Sequence, residues 1–150
     1  MSRETEKIVL VGFGNEYRRD DGLGIKLLDL IDEEISKIKI QELSIDILDD
    51  IKNFDTVIFI DAALEGEDIN FRKIEKETKF SPLTHHISPE ELLIWAENIN
   101  KKSYNFYLLS IRGYDFDFGE EISEGGLKNL LKAKEYLQNF LKTFLFDSFS

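Results

Sequence analysis

Hydrophobic and polar positions alternate between two periods along the chain, and the switches between them predict the elements. "KIVLVG" (7–12) is a continuous apolar run of strand length, and "DGLGIKLLDLIDEEI" (21–35) places Leu23, Leu27, Leu28 and Ile31 on one helical stripe. "IKIQELS" (38–44) alternates as a strand does, and "DILDDIKNF" (46–54) reads as a short helix. "TVIFID" (56–61) has the β-branched and aromatic content of a central strand, whereas "DINFRKIEK" (68–76) alternates imperfectly, as an edge strand does. Ser88, Pro89 and two glutamates open a helix over 88–100 with a strong start signal. A fifth strand over 104–111 and an amphipathic helix over 124–144 close the chain. Strands separated by helical patterns predict an α/β fold with a mostly parallel sheet covered on both faces, in a single domain over 1–150.

Composition then removes whole classes of chemistry. The 150 residues include no cysteine, which excludes disulfides, thiolate nucleophiles and cysteine-ligated metal sites. A formal charge of −11 repels a phosphate backbone, so no nucleic-acid partner is expected. The first apolar run is too short for a membrane helix or a secretory signal, so no membrane partner is expected and the protein is placed in the cytoplasm.

In a sheet of this kind, ligands bind beyond the carboxyl ends of the strands. Asp20 and Asp21 follow the first strand and Asp61 ends the central one. Gly12 and Gly14 invite a dinucleotide-site reading, but Tyr17 stands where that fingerprint needs glycine or alanine, and no P-loop is present. Two adjacent carboxylates repel unless a cation offsets them. Three carboxylates with one imidazole, from the pair His85 and His86 in "THHISPEELL", would suit zinc, nickel, manganese or iron. The residues by themselves go no further than an acidic site with one histidine.

The stretch "GFGNEYRRDDGLG" (12–24) resembles the G-x-G-N-x-x-x-x-D-D-G-x-G signature of the nickel-iron hydrogenase maturation endopeptidases. "VIFIDA" resembles their second acidic motif, and "THHISPEELL" their histidine before a helix. The resemblance implies a three-layer α/β/α sandwich of about five strands, phosphorylase/hydrolase-like, with one strand, taken as 68–76, antiparallel. It implies an endopeptidase that removes a C-terminal extension from the hydrogenase large-subunit precursor after nickel insertion, acting as a monomer. Nickel would arrive with the substrate, and zinc or cadmium could replace it in the isolated protein. Asp21, Asp61 and His85 map onto the metal contacts, with Asp21 and Asp61 also as catalytic candidates. Asp20 becomes a supporting group whose oxygens serve the amides that open the helix at Gly22. Gly14, Asn15, Asp20 and Gly22 are the expected substrate-side contacts, with Asn15 bonding either within its loop or to a substrate carbonyl.

Two departures from that pattern stand out. Arg19 occupies a place often held by glycine, and no glycine occurs between Gly24 and Gly66. The loop "IRGYDFDFGEEISEGG" is expected at the rim of the site, with extra acids. The alternatives are a peptidase with its own zinc on the same scaffold and a non-catalytic metal-sensing or nucleotide-binding module.

Overall fold

The computed structural model describes residues 7–32, 34–77 and 87–147. In chain order they form β1 (Ile8–Phe13), α1 (Leu23–Leu30), β2 (Ser36–Ile40), β3 (Thr56–Ala63), β4 (Ile69–Lys73), α2 (Pro89–Asn100), β5 (Asn105–Arg112) and α3 (Glu124–Asp147). The five strands make one sheet in the order β2-β1-β3-β5-β4. β1, β2, β3 and β5 are parallel, with Val9 opposite both Ser36 and Val57. β4 lies at the edge, antiparallel to β5, as the resemblance implied.

Alternate residues of each strand point to opposite faces, and each face has its own core. Leu10, Ile58, Ile60, Leu109 and Ile111 pack against Leu23, Leu27 and Leu28 of α1 and Leu130, Leu137 and Leu141 of α3. On the other face, Val9, Val11, Val57, Phe59 and Phe106 pack against Leu92, Leu93 and Ala96 of α2, with Ile47 and Leu48 beside them. This is the three-layer α/β/α sandwich expected. Val57 to Ile60 are fully buried because β3 is covered on both faces, which explains its unbroken apolar run. Each such side chain contributes roughly 1.5–3 kcal/mol by leaving water.

Local elements differ from the pattern where a competing effect intervenes. The single helix expected over 21–35 is a 3-10 turn over Arg19–Gly22 followed by α1, and Ile31 is already extended. Asp29, Asp32 and Glu34 crowd the carboxyl end of α1, where negative charge opposes the helix dipole. The helix expected over 46–54 is a 3-10 turn at Ile45–Leu48, opened by Ser44, whose side chain accepts from the Asp46 amide. β2 runs over Ser36–Ile40 rather than 38–44. Ser88 caps α2 as expected: its Oγ accepts from the Glu91 amide at 3.1 Å and donates to Glu91 Oε1 at 3.3 Å.

Candidate active site

The loop leaving β1 is shaped by Gly14 and Asn15. Gly14 has φ +143°, and a Cβ there would sit 2.0 Å from the carbonyl oxygen of Asp21, so a side chain is excluded twice over. The Asn15 amide donates to Asp21 Oδ2 at 2.8 Å, and Asn15 Oδ1 accepts from the Tyr17 amide at 2.9 Å. Of the two roles expected for Asn15, the structure displays the one within the loop. Gly24 does the second piece of positioning. A Cβ on it would lie 2.2 Å from the Ile60 carbonyl oxygen, so glycine lets the start of α1 rest directly on β3. That close approach sets Asp21 beside the end of β3.

There Asp21 meets Asp61. Both line a cleft of about 400 Å³ together with Arg18, Ala62, Leu64 and Phe116. Asp61 Oδ1 accepts from the adjacent Ala62 amide at 2.8 Å. Burial, opposed by that hydrogen bond and reinforced by the charge of Asp21, pushes the Asp61 carboxyl up to about 7. The cleft therefore holds a carboxyl that exchanges a proton near neutrality. Gly14 and Asn15 line a neighbouring hollow of about 230 Å³ with Tyr17, Lys39 and Gln41.

Asp20 turns the other way. It is fully buried, and Oδ2 accepts from the Tyr114 amide at 2.7 Å, the Asp115 amide at 3.2 Å and Ser123 Oγ at 2.5 Å, while Oδ1 accepts from the Ser123 amide at 2.8 Å. Burial alone would raise its pKa, but the Ser123 hydroxyl and the three amides outweigh it and hold the carboxyl below its ordinary value. The Asp20 carboxylate thus makes no bond to the amides at Gly22, and all four of its bonds stay within the protein. It serves the loop after β5 and the start of α3, which Ser123 caps through a bond from the Gly126 amide at 3.0 Å. Gly22 is also buried, packed against Glu16.

Arg19 has the backbone of a glycine position. Its φ is +46°, a left-handed conformation that glycine adopts freely and arginine does not. Its guanidinium pairs with Asp115 and donates from Nε to the Glu121 carbonyl at 2.8 Å. Arg18 donates from Nε to the Phe116 carbonyl at 3.2 Å and lies over the Phe118 ring. The loop over 113–123 is thereby a wall of the cleft, on the rim where the sequence placed it. Arg18, Leu64 and Phe116 were not singled out as site residues; the apolar pair carries no chemical signal, and only tertiary contact brings them to the acids.

His85 and His86 lie outside the described residues. Among the described residues, no three histidine, cysteine or acidic side chains gather as a metal site. Asp21 and Asp61 supply two carboxylates to one cleft, a hard oxygen donor set that suits part of a divalent-cation site and needs a further ligand. No helix among the described residues is long and apolar enough to cross a membrane.

Fold and cleft together define a three-layer α/β/α domain with paired carboxylates presented at the carboxyl ends of β1 and β3. Solved structures with this fold include the [NiFe] hydrogenase maturation protease HycI from Thermococcus kodakarensis KOD1, with a TM-score of 0.67 at 22% identity over 91% of this chain and 92% of that one. HybD from the same organism aligns with a TM-score of 0.67 at 20% identity, over 89% and 98%. The hydrogenase maturating endopeptidase HybD from E. coli aligns at 0.71 with 14% identity, over 91% and 93%. No protein-family model and no curated protein sequence matches the chain. At these identities the likeness establishes a shared fold, and the proteins that share it carry the family name to which the two acidic motifs pointed.

Proposed function

We propose that this protein is an endopeptidase that removes the C-terminal extension of a nickel-iron hydrogenase large-subunit precursor after nickel has been inserted. The observation that carries the reading is the cleft shared by Asp21 and Asp61 in a fold that solved hydrogenase maturation proteases share. Nickel is part of the substrate here. Asp21, Asp61 and His85 would contact it, and zinc or cadmium would substitute in the isolated protein. We place the reaction in the cytoplasm, with the protein acting as a monomer.

Asp61 gives the cleft its chemical character. With its carboxyl at about 7, a proton occupies the group in a substantial fraction of molecules at neutral pH, and a cation must displace that proton to bind. Once the loaded precursor is seated, the ionised Asp61 would serve as general base: it takes a proton from water as the water oxygen bonds to the scissile carbonyl carbon. Collapse of the tetrahedral species breaks the C–N bond, and the proton taken up by Asp61 passes to the leaving nitrogen, which returns the carboxylate to its starting state. Nickel on the precursor, contacted by the same acids, would hold the scissile bond at the cleft, so that only the loaded form is cleaved.

Incubation with nickel-loaded and nickel-free precursor, read by mass spectrometry of the large subunit's C-terminus, tests the reading. Shortening of the loaded form alone is expected. Failure to shorten either form would overturn it. Stoichiometric zinc surviving chelation, with cleavage indifferent to nickel, would favour a self-sufficient metallopeptidase.

A further inference from the structure

Asp20 is the buried acid that the cleavage chemistry does not use. Its four hydrogen bonds all run to residues about a hundred positions away: Tyr114, Asp115 and Ser123. Gly113 and Gly126 close over it, since a Cβ on either would lie 2.7 or 2.8 Å from Asp20 atoms. The backbone repeats the connection, with the Asp20 amide donating to the Asp115 carbonyl at 2.9 Å, the Arg19 amide to Gly119 at 2.8 Å and the Gly119 amide to Tyr17 at 2.8 Å. Phe116, which follows directly, lines the cleft with Arg18, whose Nε donates to the Phe116 carbonyl. Asp21 has its own restraint in the Asn15 amide.

We propose that Asp20 is a positioning residue: by gripping residues 114, 115 and 123 it fixes the wall that Phe116 and Arg18 present to the cleft, and so governs how tightly a precursor docks there. The grip suits a carboxylate. Four donors converge on two oxygens that only accept, and the first turn of α3 adds the positive end of a helix dipole. An asparagine would turn an NH2 towards these donors and lose at least one bond. Because Asp21 is held separately, the wall should loosen while the acids stay in place. Ground-state docking is then lost rather than the chemical step.

The docking arm rests on the endopeptidase reading; the wall arm does not. Asp20→Asn and Ser123→Ala would be compared with wild type by circular dichroism, by hydrogen exchange over 113–123 and by steady-state cleavage of nickel-loaded precursor. For folded Asp20→Asn, exchange in that segment should quicken at least about tenfold and KM rise about tenfold, with kcat within about threefold. Ser123→Ala, which leaves three of the donors, should shift the same quantities in the same sense by less, and it carries the test if Asp20→Asn does not fold. Unchanged exchange and KM in a folded variant would overturn the proposal, as would a collapse of kcat at constant KM. If wild type does not cleave, the functional reading fails, and the exchange measurement still decides whether Asp20 holds the wall.

Discussion

Asp21 and Asp61 share one cleft, and the charge of Asp21 adds to burial, the larger effect, in raising the Asp61 carboxyl to about 7. The folded protein therefore binds a proton at Asp61 that the unfolded chain, with an ordinary value of 3.8, has already released. Between those two values the native state holds more protons, so stability falls as pH rises and levels off above about 7. The loss amounts to at most about 4 kcal/mol. Asp61→Asn should remove it, raising the stability of the metal-free protein at pH 8 by about 1–3 kcal/mol and leaving it little changed near pH 4. Urea unfolding at the two pH values measures this, and equal effects at both would contradict the burial account.

Asp21→Asn preserves shape and can keep the bond from the Asn15 amide, but it removes a charge. Processing of nickel-loaded precursor should fall roughly 100-fold without loss of fold. The same substitution should lower the Asp61 titration midpoint, which carbon-13 carboxyl NMR can follow in the metal-free protein.

Arg19 sets a conformational cost against two contacts. Its left-handed backbone costs roughly 1–2 kcal/mol for a residue with a Cβ, while the partly exposed pair with Asp115 and the bond to the Glu121 carbonyl return a similar amount. Arg19→Gly should therefore leave stability within about 1 kcal/mol of wild type, whereas Arg19→Ala keeps the strain, loses the contacts and should cost about 1–2 kcal/mol. Denaturant midpoints of the two variants would show the difference.

Gly24→Ala places a methyl group 2.2 Å from the Ile60 carbonyl oxygen, with backbone on both sides of the clash. α1 would have to lift from β3, at a cost of roughly 2–4 kcal/mol. A thermal melt unchanged from wild type would mean that α1 does not rest on β3 as described.

Within the histidine pair, His85→Ala should abolish or severely slow nickel-dependent processing and His86→Ala should leave most of it. Since a cation must displace the proton on Asp61, processing should also weaken as pH falls below about 7. Cleavage time courses of both folded variants decide the assignment; an active His85→Ala beside an inactive His86→Ala would reverse it.

Much of this architecture is local information. The unbroken apolar run of β3, the serine-proline start of α2 and the long stripe of α3 each specify their element by periodicity and capping, which depend on neighbours a few positions away. Asp21 and Asp61 were legible for a related reason, since a carboxylate at the end of a buried strand stands where sheets of this type bind ligands. The extent of α1 was less legible, because the apolar stripe continues through Ile31 while the acids at its end and the turn to β2 stop the helix earlier. What adjacent aspartates do could not be read from adjacency at all. Asp21 faces a cleft completed by Leu64 and Phe116, and Asp20 faces donors from Tyr114, Asp115 and Ser123. Those partners reach the first loop only because β5 lies beside β3 and α3 beside α1. Burial and hydrogen bonding across such distances arise when the sheet assembles, and they divide two chemically identical side chains into a cleft acid and a clasp.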